Sequence, residues 1–428
     1  MIALSGVLVL LALLAIGLPV ALSLILAGSL GLLLVGGPGL VAGILATGPG
    51  SALSNYELLT IPMFLLMAEF MVTSGIAVSL FSAVAAWTRN WRGGLGIATA
   101  LSGAAFGAIS GSSAAAAATL STSSVPSMLA NGYERRFATG IVSISGTLAM
   151  IIPPSIALIF YGLLSGTDIA KLLIAGLLPG LLVTLTIALT VWYLLLRDPS
   201  LAPASAPSAW KEKLAALKVA GPFVVLFAMV TGLIYTGIAT PVESSALGAL
   251  GAFLLTLLSG KLTRQALYLA LVKTCLTSCM IGLIVVCAHV FGTFLTMTGT
   301  TQAMVAAISD SGLHPYVILL VIVLIYLVLG LFLDQLSILI LTVPIVLPLI
   351  IGLGFDPVWF GIIVILLAEV GIVTPPVGLN VFVVSRVTNI PVEEVFSGVW
   401  PHVIAHLILI AVLIAFPSIV LWLPSHMG

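Results

Sequence analysis

Long apolar stretches dominate the chain, near 2–17, 19–35, 57–86, 94–130, 136–166, 170–196, 218–238, 242–260, 266–308, 315–352, 357–388 and 395–423. A helix that crosses a bilayer needs roughly 20 apolar residues. The pattern therefore predicts an all-α polytopic membrane protein. The stretches 94–130 and 315–352 are too long for one crossing. Each carries small or polar residues near its middle: Gly107-Ala-Ile-Ser-Gly-Ser-Ser113 and Gly330-Leu-Phe-Leu-Asp-Gln-Leu-Ser337. Both read as re-entrant hairpins that enter and leave on one side. The stretches 136–166 and 357–388 are interrupted at Pro153-Pro154 and Pro375-Pro376. Proline removes a backbone donor and clashes with the preceding turn, so these helices are expected to break inside the membrane.

A shift of 222 positions brings Pro19 onto Pro241, Pro126 onto Pro348, Pro153-Pro154 onto Pro375-Pro376 and Pro179 onto Pro401. About 0.6 such pairs would coincide by chance for 23 prolines in 428 residues. Gly132 meets Gly354, Gly176 meets Gly398, and Ser112 falls opposite Asp334. The chain thus divides into a first repeat at 1–196, a cytoplasmic linker and connecting helix at 197–217, and a second repeat at 218–428. Each half holds two short helices, a longer helix, a hairpin, a broken helix and a closing helix. A hairpin makes no net crossing, so each half crosses an odd number of times and the second is expected to be inverted. With both termini periplasmic, twelve of the 13 Lys and Arg, Lys273 among them, fall on or near the cytoplasmic side. Lys171 alone falls outside.

Composition agrees. The chain is 61% hydrophobic and 6% charged, with zero formal net charge. A soluble domain carries about 25% charged residues, and a neutral chain suggests no nucleic-acid partner. The apolar start reads as a first membrane helix and not a cleaved signal. Cys275, Cys279 and Cys287 read as small buried residues without metal-binding or disulfide spacing.

Inverted repeats with discontinuous helices point to a transporter. Non-helical backbone at membrane depth must line a cavity or be buried. Its freed carbonyls suit a cation, and half-helix N-termini suit an anion. The two tips and two breaks supply an oxygen-rich set matched to sodium. The candidate cation ligands are Ser110, Ser112, Ser113, Pro153, Asp334, Thr374, Pro375, Gly378 and Asn380. The candidate substrate contacts are Ser113, Ser155, Ser337 and Asn380. Each half pairs one tip with one break, giving two related cation sites. No Arg or Lys is expected deep enough to neutralise a substrate, so an anion would rely on helix ends and bound sodium.

At these residues the sequence resembles the large membrane subunit of the TRAP (tripartite ATP-independent periplasmic) transporters, in the wider ion-transporter superfamily. The matching motifs are Gly107–Ser113, Gly146-Thr-Leu-Ala-Met-Ile-Ile-Pro-Pro-Ser155, Thr240-Pro-Val-Glu-Ser-Ser-Ala246, Gly330–Asp334 and Ala368-Glu-Val-Gly-Ile-Val-Thr-Pro-Pro-Val-Gly-Leu-Asn380. The resemblance implies a bacterial inner-membrane protein, not an enzyme. It implies sodium-coupled uptake of an organic acid such as a C4-dicarboxylate or sialic acid, by an elevator motion of a transport domain against a scaffold. It also implies two partners: a small four-helix membrane subunit and a soluble periplasmic substrate-binding protein.

Other readings compete residue by residue. Asp334 is either a cation ligand or a helix cap. Glu369 either tunes a cation site, carries a proton or pairs with backbone. Glu69 reads as a structural hydrogen bond, and Glu243 as a first-turn acid that favours the helix dipole. His402 and His406 read as helix-end or interface residues, with no acid to orient them for a serine hydrolase built on Ser110 and no third metal ligand. A proton-coupled carrier of the same fold is the runner-up.

Overall fold

The computed structural model describes residues 2–203, 209–300, 303, 305 and 312–427. Part of the linker at 197–217 and the end of the stretch at 266–308 lie outside the described residues. Among the described residues every element is a helix. Lipid offers no partner to a backbone N–H or C=O, so such a chain satisfies them internally. Among the described residues seven helices are long and apolar enough to cross a membrane, and the bent pair Trp210–Lys218 and Ala220–Tyr235 makes up to eight. Helix Ile169–Arg197 displays the lipid-facing pattern: Leu181, Leu185, Leu189 and Trp192 are exposed, while Val183, Ile187 and Val191 are buried.

Two boundaries differ from the sequence reading. The second helix does not stop at 35 but runs Val20–Leu53, bent at Gly37, whose φ is 75°. Pro38 opens the segment beyond the bend, where its missing N–H costs nothing. The stretch at 57–86 is two helices, Thr60–Ser74 and Ile76–Thr88, hinged at Gly75. Cys275 and Cys279 are exposed on helix Arg264–Met297, and only Cys287 is buried.

The 222-residue register holds down to individual hydrogen bonds. Ser112 caps the helix Ser113–Ser123 by accepting from the Ala115 N–H. Asp334 caps Gln335–Gly352 by accepting from the Ser337 N–H. Each hairpin's inner arm ends on a left-handed glycine, Gly132 (φ 79°) or Gly354 (φ 84°). Beyond it, Tyr133 N–H donates to Met128 O at 3.0 Å and Phe355 N–H donates to Ile350 O at 3.1 Å. Only glycine adopts that conformation without a Cβ clash.

The halves interlock reciprocally. The first inner arm, Ser113–Ser123, packs on the second half's restarted helix, Leu379–Thr388. The second inner arm, Gln335–Gly352, packs on the first half's restarted helix, Ile156–Ser165. Closing helices swap likewise: Val392–Ala415 lies on Arg135–Thr147, and Ile169–Arg197 lies on Pro357–Gly371. Helix Val20–Leu53 packs along Arg264–Met297, and Thr60–Ser74 along Pro241–Leu258.

Candidate functional site

The first hairpin's outer arm, Gly94–Ser110, ends at left-handed Gly111. There Ser110 Oγ donates to the Ser112 carbonyl at 3.3 Å. In the second hairpin, Pro315–Gly330 gives way to Leu331–Leu333 and then to Asp334. One Asp334 oxygen accepts from the Ser337 N–H at 3.3 Å. The other accepts from the Ser337 hydroxyl. Gln335, next along, is buried, and its Nε2 has no partner.

Both Pro-Pro sequences interrupt their helices. Arg135–Thr147 passes through a tight turn at Leu148–Met150, loses helical structure and restarts at Ile156. Ser155 caps the restart, accepting from Leu158 N–H at 3.2 Å, and its hydroxyl donates to the Met150 carbonyl. Pro357–Gly371 breaks in the same way and restarts at Leu379. Thr374 Oγ1 donates to Val370 O at 2.6 Å. Asn380 N–H donates to Ile372 O at 3.1 Å, folding the restart back onto the break. The Asn380 side chain reaches the other half, with Nδ2 3.5 Å from Ser143 O. Its Oδ1 is fully buried without a partner.

Each outer arm meets the break of its own half at close range. A methyl on Gly107 would lie 2.8 Å from the Ala149 Cα, and one on Gly330 would lie 2.9 Å from the Gly371 Cα. Inner arms meet the restarts of the opposite half. A tip therefore touches both breaks, a closer coupling than one tip to one break.

The two tips open into one cavity of about 530 Å³. Ser110, Ser112 and Ser113 line it from one side and Asp334 and Gln335 from the other, with Met150, Ile156, Ile372 and Leu379 from the edges of the breaks. Pro153, Thr374, Pro375 and Gly378 do not line it. Ser155, Ser337 and Asn380, expected as substrate contacts, are buried behind its wall. Two inner-arm N-termini face the cavity, and the first-turn N–H groups that Ser112 and Asp334 leave uncapped direct partial positive charge into it.

The structure also brings up residues that sequence reasoning misplaced. Lys273 lines the cavity, with Nζ 3.5 Å from Glu69 Oε2. It lies nine residues into its helix, roughly 14 Å along the axis, so a basic residue does reach the expected anion chamber. Glu69 forms this ion pair and not a plain scaffold hydrogen bond. Glu243 is the acid of a capping box with Thr240, as its first-turn position suggests. His402 and His406 are buried, not at a helix end, and His406 Nε2 lies 3.3 Å from Glu369 Oε2. Thr147 Oγ1, exactly one repeat away from Glu369, donates to the same oxygen at 3.5 Å. Neither histidine lines the cavity that holds Ser110. Their i, i+4 spacing on the buried face of the last long helix was the available signal.

The donor set suits a hard cation: hydroxyls, a carboxylate, carbonyls freed by two breaks, and a buried amide oxygen without a partner.

A family profile described as the tripartite ATP-independent periplasmic transporter DctM component matches residues 7–419. The C4-dicarboxylate TRAP transporter large permease protein DctM of Pseudomonas aeruginosa is 35% identical over 375 residues, 87% of each chain. The sialic acid TRAP transporter large permease protein SiaM of Vibrio cholerae is 32% identical, covering 96% of this chain and 95% of its own. Among solved structures, the YdaH transporter of Alcanivorax borkumensis superposes with a TM-score of 0.70 at 13% identity, covering 97% of this chain and 99% of that one. That likeness is one of fold.

Proposed function

Because the chain belongs to the DctM family of tripartite ATP-independent periplasmic transporters, we propose that this large permease imports a small organic acid together with sodium. The observation that carries the reading is the single cavity shared by both hairpin tips. Sodium would be held by Asp334, the tip hydroxyls and the carbonyls around Pro153 and Pro375, with Thr374, Gly378 and Asn380 shaping the second break. Bound sodium supplies positive charge beside the inner-arm N-termini and so favours an anion in the cavity. Substrate affinity then depends on sodium occupancy, which is the basis of coupling.

The substrate class is a C4-dicarboxylate or a sialic-acid-like acid, by likeness to the two relatives above. Family membership supports delivery by a soluble periplasmic binding protein and a small four-helix membrane subunit as a second chain. Reciprocal packing of each inner arm on the restarted helix of the opposite half supports an elevator motion, since it ties hairpins and broken helices of both halves together. We further read the halves as inverted, the protein as lying in the bacterial inner membrane, and both termini as periplasmic.

A proton-coupled carrier is favoured by one observation, the buried Glu369–His406 pair. Uptake of labelled succinate into proteoliposomes holding both membrane subunits, with the binding protein added, separates the two at fixed pH. Sodium coupling predicts accumulation driven by an inward sodium gradient and none with potassium. Accumulation driven by a pH gradient without sodium would favour the proton.

A further inference from the structure

The cavity wall also carries an ion pair to which the cation chemistry assigns no role. Glu69 projects from Thr60–Ser74 and Lys273 from Arg264–Met297. Both line the cavity, together with Thr277, one turn beyond Lys273. Lys273 is the one basic side chain among the cavity's described lining residues. Its separation from Glu69, 3.5 Å, is longer than a good N–H···O hydrogen bond. The lysine side chain is 60% exposed and that of Glu69 28%. An exposed ion pair contributes little to stability, so an incoming ligand can open it at small cost. Opening it leaves an ammonium and a carboxylate side by side, which calls for a ligand presenting an acid to one and a hydrogen-bond donor to the other.

We infer that Glu69 and Lys273 form a two-point recognition site for a hydroxylated or amine-bearing organic acid. The substrate carboxylate takes the place of Glu69 on Lys273, and the substrate's hydroxyl or amine donates to the freed Glu69. Thr277 adds a hydroxyl beside the bound carboxylate. This specificity rests on the cavity being the substrate chamber, as proposed above. A purely structural bridge between the two helices would need neither side chain to face the cavity.

The test uses the purified full-length protein in sodium, with L-malate, succinate and uncharged malamide as probes, read by thermal stabilisation over a concentration series. Wild type is expected to bind malate more tightly than succinate and not to respond to malamide. Lys273→Met should weaken both acids at least about tenfold, one charge-assisted contact being worth that much, and Lys273→Arg should recover part of the loss. Glu69→Leu, whose side chain has no oxygen to accept from the hydroxyl, should remove the preference for malate over succinate while keeping succinate binding. The double variant Glu69→Gln/Lys273→Met leaves no unpaired charge, so it keeps the loss of binding readable if a single variant folds poorly. Acid binding unchanged in Lys273→Met, or a malate preference unchanged in Glu69→Leu, overturns the inference while leaving the chamber in place. No acid response in wild type, with or without sodium, overturns the chamber itself and the recognition site with it.

Discussion

At the tip of the first hairpin the helix cap is the hydroxyl of Ser112; one repeat later the same cap is the carboxylate of Asp334. The residue three further on is Ala115 in the first half and Ser337 in the second. On the broken helices Thr147 faces its own repeat mate, Glu369, and on the restarts Leu158 corresponds to Asn380. The backbone plan is common to both halves, but charge and amide oxygen are concentrated in the second. A neutral oxygen cage binds a cation weakly, whereas a carboxylate ligand repays more of the dehydration cost. The difference teaches that two sites of one ancestry need not share the work equally: the second tip is expected to set sodium affinity and the first to adjust it.

The largest expected effect comes from removing that asymmetry. Asp334→Asn should weaken sodium-dependent uptake about tenfold to a hundredfold, since a contact to a charged ligand is worth about 1.5–3 kcal/mol. Ser112→Ala should cost less than about tenfold, the scale of one neutral hydrogen bond. Sodium titrations of labelled-acid uptake check both, and equal losses would erase the distinction between the tips. Next is the buried pair. Glu369→Ala leaves the buried His406 Nε2 and the Thr147 hydroxyl without their shared partner and should destabilise the protein by about 1–3 kcal/mol. Thr147→Ala at the mate position should cost about 1 kcal/mol. Thermal unfolding in detergent measures each.

Smaller effects probe what the halves share. Gly107→Val and Gly330→Val each push a side chain into the facing break and should cost about 1–3 kcal/mol alike. Gly132→Ala and Gly354→Ala force a left-handed alanine and should each cost about 1 kcal/mol. Unequal losses within either pair would show that the second half has departed from the first in backbone as well as in chemistry.

Much of the plan was legible in the chain. Proline and glycine mark backbone departures from helix, and those departures recur at a fixed spacing, so breaks and tips could be read before their surroundings were known. Asp334 stood out because an acid is costly at membrane depth. What stayed hidden depends on which elements meet. Nothing local to Ser113–Ser123 says that it packs on Leu379–Thr388 of the other half. That Lys273 lines the cavity could not be read from its helix, because a basic residue near a helix start usually lies at the interface and only the assembled wall shows what it borders. Glu369 and His406 lie 37 positions apart, and each has a bland local reading. The helix Val20–Leu53 ran on past Gly36-Gly37-Pro38 because glycine bends the chain there and proline is tolerated at the start of the next segment.

The most direct measurement is the thermal stability of the purified protein across a sodium series at constant ionic strength, with choline or potassium as replacement. A cation held by the tips and breaks stabilises the folded state by RT ln(1 + c/Kd) at sodium concentration c, which rises with the logarithm of concentration above Kd. The account predicts an upward shift in Tm with sodium alone that grows with the logarithm of its concentration above a threshold, lost in Asp334→Asn and with the threshold moved to higher concentration in Ser112→Ala. The same shift with potassium or choline, or an unaltered sodium response in Asp334→Asn, would contradict it.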